Sequence, residues 1–148
     1  MRAPPPPALE PPISPPDEVP VRPLLRLLLI DDEPLVTKVL RRALGAGYQT
    51  LALASALEAL ALLARDAAFD AILCDLRMPG MDGLAFHAVL RERHPALAAR
   101  VLFLSGASDL AGGAPAREVL PAGRFLEKPF DLPRLRAAVR ALVTSSAP

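Results

Sequence analysis

Three carboxylates and one ammonium, far apart along the chain, are placed as if for shared chemistry. Asp31 and Asp32 follow the apolar run 24–30, Asp75 follows Asp70-Ala71-Ile72-Leu73-Cys74, and Lys128 sits between Arg124-Phe125-Leu126-Glu127 and Pro129. Carboxylates brought together repel and need a cation, and hard oxygen donors suit Mg²⁺. An ammonium beside them suits an anion such as a phosphoryl group. In that setting Asp75 reads as a nucleophile that becomes an acyl phosphate, a labile bond whose free energy can bias conformation. Asp31 and Asp32 read as the Mg²⁺ holders, and Lys128 as the partner of the phosphoryl oxygens. Ser105 offers a hydroxyl that can donate to the same group. Pro129 favours extended backbone at Lys128 and leaves a cis bond open.

Such a site forms only if the elements deliver these residues to one place. The run 24–30 is apolar except for Arg26, as suits a strand buried on both faces. Pro34 opens a helix, with Leu35, Val36, Val39, Leu40 and Leu44 at helical spacing and Gly45 and Gly47 to end it. Residues 48–54 read as a second strand. Ser55 with Glu58 three residues on is the capping-box pattern, opening a helix that runs to about Asp66. Residues 70–75 form the third strand, Pro79-Gly80-Met81-Asp82-Gly83 a turn, and 84–93 a helix that stops before Pro95. Residues 100–105 and 125–127 supply two more strands. Asp131 caps a last helix to Thr144, with Leu132, Leu135, Val139, Leu142 and Val143 as its buried stripe. Strict β-α alternation predicts a parallel sheet with helices on both faces. Each candidate residue then stands at the C-terminal edge of a strand, where ligands bind in such sheets.

Composition narrows the function classes. The chain has 148 residues, 52% of them hydrophobic and 22% charged, which suits one packed domain. Ten of its 18 prolines fall within the first 23 residues, so 1–23 is expected to be an extended or disordered lead-in, 24–144 the domain, and 145–148 a short tail. A net charge of +1 and no Trp argue against direct nucleic-acid binding. The lone Cys74 excludes an internal disulfide and a thiol-rich metal site, and reads as an inert buried thiol. There is no secretory signal, and the run 24–30 is too short to span a bilayer, so a soluble cytoplasmic protein is expected.

Four segments carry a family resemblance: Leu28-Leu29-Ile30-Asp31-Asp32-Glu33-Pro34, Cys74-Asp75-Leu76-Arg77-Met78-Pro79-Gly80-Met81-Asp82-Gly83, Phe103-Leu104-Ser105-Gly106 and Phe125-Leu126-Glu127-Lys128-Pro129-Phe130. Together, and in this order, they resemble the receiver domain of two-component response regulators, of the chemotaxis-receiver type. The resemblance covers 24–144. It implies an α/β, flavodoxin-like, doubly wound five-stranded parallel sheet of order 2-1-3-4-5. It implies Asp75 as phosphoacceptor, Asp31 and Asp32 as the acidic pair for Mg²⁺, and the backbone carbonyl of Arg77 as a further metal ligand. Ser105 is similar to the family's switch hydroxyl, Phe125 to its switch aromatic, and Lys128 to its phosphate-pocket lysine. The implied partners are a histidine kinase or a histidine phosphotransfer protein upstream and a protein target downstream, with the chain monomeric or dimerising on phosphorylation. No turnover of an outside substrate is implied beyond self-phosphorylation and self-dephosphorylation.

The chain also departs from the pattern. Between Ser105 and Phe125 lie Gly112-Gly113, Pro115, Pro121 and Gly123. A helix-interior glycine costs roughly 1 kcal/mol and a proline about 3, so the helix expected there is irregular, confined to about 116–120. Phe125 lacks the hydroxyl many relatives carry at that position. His87 and His94 read as surface or half-buried residues. No output domain is expected after Thr144. The alternatives are a phosphorylation-independent scaffold, or the detached receiver of a hybrid histidine kinase. An aspartate-nucleophile phosphatase is disfavoured because Asp75-Leu76-Arg77 lacks a second carboxylate.

Overall fold

The computed structural model describes Ala3, residues 24–106 and residues 124–144. The expectations for the Pro-rich stretch 1–23, for a helix near 116–120 and for the tail 145–148 fall outside the described residues. Five strands, β1 (Leu25–Ile30), β2 (Tyr48–Leu53), β3 (Ala71–Asp75), β4 (Val101–Ser105) and β5 (Phe125–Glu127), make one sheet of order β2-β1-β3-β4-β5. Every pairing is parallel. With α1 (Pro34–Leu44), α2 (Ala56–Leu63), α3 (Gly83–Arg93), α4 (Pro95–Ala98) and α5 (Leu132–Thr144), this is the doubly wound, flavodoxin-like arrangement.

Strand periodicity divides the core into two. Leu28, Ile30, Ile72, Cys74, Val101 and Phe103 face one way, against Ala59 and Leu63 of α2 and Phe86 and Leu90 of α3. Leu27, Leu29, Leu73, Leu102 and Leu104 face the other way, against Leu40 and Leu44 of α1 and Leu135, Val139 and Leu142 of α5. A two-residue period on a strand covered on both sides produces this split, and explains why β3, β4 and β1 beyond Arg26 read as apolar runs.

Local chemistry sets the helix starts. Ser55 Oγ accepts the Glu58 N–H at 3.1 Å, while the Glu58 carboxylate accepts the Ala54 N–H at 3.2 Å. Asp82 and Asp131 accept the N–H groups of Ala85 (2.8 Å) and Arg134 (2.7 Å) at the starts of α3 and α5.

Several expectations need correction. Helix α2 ends at Leu63 rather than near Asp66, because the Asp66 carboxylate turns back to take the Arg26 guanidinium at 3.0 Å and the Ala68 N–H at 3.1 Å. The short α4 is additional to the predicted elements; it starts at Pro95, the residue that stops α3. Leu35 (75% exposed) and Val39 (51%) lie outside the buried stripe of α1. They border a shallow groove of about 290 Å³ whose far wall is Lys128, Pro129 and Phe130. Leu132, likewise expected to be buried, is exposed at the first turn of α5. No helix among the described residues is long and apolar enough to cross a membrane.

Candidate functional site

The register assembles the site. Ile30 pairs with Cys74, so Asp31 and Asp75 follow at adjacent strand ends. Asp75 pairs with Leu104, so Ser105 is one step beyond. Ser105 pairs with Glu127, so Lys128 is one step beyond that. The Lys128 N–H closes the series by donating to the Ser105 carbonyl at 2.7 Å. The peptide bond from Lys128 to Pro129 is cis.

The side chains converge accordingly. Carboxylate oxygens of Asp31, Asp32 and Asp75 lie within 4.8 Å of one another. Asp31 is 2% exposed and Asp75 5%, while Asp32 opens to solvent. Lys128 Nζ stands 3.3 Å from Asp31 Oδ2 and 3.6 Å from Asp75 Oδ1. Two main-chain donors fix the buried carboxylates: the Glu33 N–H on Asp31 Oδ1 at 2.9 Å, and the Arg77 N–H on Asp75 Oδ1 at 3.3 Å.

Electrostatics and burial oppose each other here. Burial, reinforced by the charge on Asp31, pushes the Asp75 carboxyl up to about 6, against the pull of Lys128. For Lys128, burial works against the charged form, but Asp31 and Asp75 outweigh it and hold the ammonium above its usual range. Three carboxylates facing one ammonium leave the pocket with excess negative charge, which a hard divalent cation would offset. The donor set consists of carboxylate oxygens with one exposed member, so it fits a partly hydrated Mg²⁺ held by Asp31, Asp32 and Asp75.

Ser105 is fully buried at the end of β4, and its Oγ has no hydrogen-bond partner among the described residues. A buried hydroxyl without a partner is costly unless a ligand completes it. Phe125 stands at the opposite end of β5 from Lys128 and lays its ring against Phe103 rather than in the carboxylate cluster (centroids 5.9 Å apart). Arg77 is exposed at the rim.

Three features of the site escape a reading of the sequence. The Glu33 N–H clamp on Asp31 is a local Asx-type turn, whose only signal is an Asp two residues ahead of a free amide. Cys74 is buried as expected and donates its S–H to the Asp75 carbonyl at 3.3 Å; burial pushes its thiol well up. Gly83 lets α3 press onto the end of β3. A Cβ there would stand 2.6 Å from the Asp75 carbonyl oxygen and 3.0 Å from Leu76 Cα.

The family model for the response regulator receiver domain matches residues 27–140. The chain is 38% identical over 117 residues to the DNA-binding transcriptional regulator NtrC of Salmonella typhimurium, covering 78% of this chain and 24% of that protein. It is 36% identical over 126 residues to the response regulator MprA of Mycobacterium leprae, covering 84% of this chain and 53% of that protein. It thus spans about a quarter of the length of NtrC and about half that of MprA. Among solved structures, a response regulator receiver protein from Sinorhizobium medicae aligns with a TM-score of 0.71 at 29% identity, over 84% of this chain and 98% of that one. Full-length FixJ from B. japonicum aligns at 0.74 and 25% identity, over 86% and 61%. With its fold, its strand order and its acidic edge, the chain belongs to the family of response regulator receiver domains.

Proposed function

We propose that residues 24–144 act as a phosphorylation-controlled switch in which Asp75 takes a phosphoryl group from a histidine kinase or a histidine phosphotransfer protein. The observation that carries this reading is the convergence of Asp31, Asp32 and Asp75 on Lys128 Nζ. Oδ1 of Asp75 is held by Lys128 and by the Arg77 N–H, which leaves Oδ2 free to attack. A P–O bond forms there as the donor's P–N bond breaks, and the electron pair leaves on the imidazole nitrogen, which takes up a proton. Lys128 turns from the carboxylates to the new phosphoryl oxygens, and Ser105 gives its unpartnered hydroxyl to one of them. Mg²⁺, held by Asp31, Asp32 and Asp75 with the Arg77 carbonyl as a further ligand, would supply charge neutralisation for the carboxylates and the transferring group. The drawn-in Ser105 favours one packing of Phe125 over another, so the surface around β4 and β5 changes its affinity for a downstream protein. Hydrolysis of the acyl phosphate resets the switch, and no other substrate is turned over.

The test uses the full chain, Mg²⁺ and acetyl phosphate, read by intact mass. Wild type gains one phosphoryl group, while Asp75→Asn and metal-free wild type gain none. Equal gain by Asp75→Asn, or none by a wild type that binds Mg²⁺, overturns the reading; the latter result favours a scaffold.

A further inference from the structure

We infer that His87 on α3 is a positioning residue coupled to the phosphoacceptor pocket through the ring series Phe125–Phe103–His87, so that the state of Asp75 and the charge of His87 are linked. This rests on the reading of Asp75 as phosphoacceptor. Phe103 and Phe125 are register partners on β4 and β5, with ring centroids 5.9 Å apart and planes tilted by 33°. Phe103 is fully buried and meets the His87 ring edge-on at 5.6 Å and 73°. The other side of His87 is tied down: its Nε2 lies 3.0 Å from the Ala98 carbonyl oxygen in α4. A carbonyl only accepts, so Nε2 carries the proton.

Two features make the series transmit motion. Ser105 lies two residues beyond Phe103 on the same strand, with its buried hydroxyl unpartnered among the described residues. An acceptor arriving at Asp75 therefore pulls on β4, and on β5 through the Lys128 N–H held by Ser105. The packing around Phe103 leaves little room for slack, since a Cβ on Gly83 would meet its ring at 3.3 Å. Dense interiors pass displacements on rather than absorbing them.

Among the described residues, two guanidinium groups act on His87: Arg91 from its own helix, and Arg124 from the residue just ahead of Phe125. Burial, with help from both charges and against the Ala98 hydrogen bond, holds the imidazole below the ordinary histidine range. Loading of Asp75 seats the Phe125 ring deeper on Phe103, which dries the His87 contact and disfavours the imidazolium further. Linkage is reciprocal, so protonation of His87 weakens loading by the same factor.

The chain contains only two histidines, which makes the experiment direct. The pKa of each ring is measured by NMR in the full chain with Mg²⁺, with and without beryllofluoride, using His94→Gln for assignment. Loading is read separately from the ¹⁹F resonance of the bound complex, which Asp75→Asn must lack. The expected result is a fall of about half a unit at His87, equivalent to roughly threefold weaker loading of the protonated form, with His94 unchanged. Phe125→Ala, brought to full ¹⁹F loading by excess beryllofluoride, loses the shift. Phe125→Leu, which keeps apolar volume without the ring, serves if the alanine variant does not fold. A bound ¹⁹F signal with His87 unmoved, with both histidines moved equally, or with the shift intact in the Phe125 variants overturns the coupling. Absence of the ¹⁹F signal in wild type overturns the phosphoacceptor reading instead, and the coupling with it.

Discussion

Asp75 holds its charge at a cost to the fold, and Asp75→Asn measures that cost. The carboxyl is raised from 3.8 to about 6, chiefly by burial and then by Asp31. A raised acid means that the folded chain binds more protons than the unfolded one between those two values. The contribution of this carboxyl to stability is therefore most favourable below 3.8, falls as pH climbs towards about 6, and carries the full penalty above that. About two units at 1.36 kcal/mol each give a penalty on the order of 3 kcal/mol at pH 8 without metal. Asparagine has the shape of the neutral acid and escapes it. In EDTA at pH 8, Asp75→Asn should be more stable than wild type by about 3 kcal/mol, or roughly 10 °C in Tm for a domain of this size. The gap should narrow steadily below pH 6, and close when Mg²⁺ is added, because the cation stabilises the wild-type carboxylates more than the variant. Thermal melts across pH 4 to 8, with and without Mg²⁺, check all three points. A variant that melts at or below wild type at pH 8 in EDTA, with a gap that ignores pH, refutes the reasoning; it would mean that the ion pair with Lys128 outweighs burial.

Three further outcomes follow from packing. Ser105→Ala removes a buried hydroxyl that has no partner among the described residues; urea titration should find its stability unchanged or raised by about 1 kcal/mol, while beryllofluoride no longer perturbs Phe125 resonances. Gly83→Ala drives a Cβ to 2.6 Å from the Asp75 carbonyl oxygen, and overpacking of this kind costs about 1–3 kcal/mol, seen as a lower urea midpoint with unchanged slope. Leu40→Ala, in the core beneath α1, should cost about 2–5 kcal/mol, whereas Leu35→Ala, on the same helix but 75% exposed, should stay within about 0.5 kcal/mol; equal losses in the same titration would contradict the assigned orientation of α1.

The parts of the molecule legible in the sequence are those governed by one-dimensional periodicity. The apolar runs at β1 (Arg26 apart), β3 and β4 follow from burial on both faces, and the caps at Ser55 and Asp131 follow from side chains that satisfy amides within three residues, whereas Asp82 reads only as part of a turn and caps α3 in the structure. The errors arise where a neighbour in space decides. Leu35 and Val39 have core spacing, but α1 turns Leu40, Ala43 and Leu44 onto the sheet and leaves that flank beside Lys128, Pro129 and Phe130. Asp66 fits the end of a helix until Arg26, forty residues earlier, claims its carboxylate. The site itself was readable because it depends on topology rather than on detail. Asp31 and Lys128 are 97 positions apart, yet lie 3.3 Å from each other, and three successive register pairs account for the approach. In a parallel sheet every strand ends on the same edge. Charged residues placed immediately after several apolar strands therefore share that edge, and the order β1-β3-β4-β5 brings these ones within reach of one another. The main-chain donors from Glu33 and Arg77 have no side-chain signature, which is why convergence could be inferred from the sequence while the fixing of each carboxylate could not.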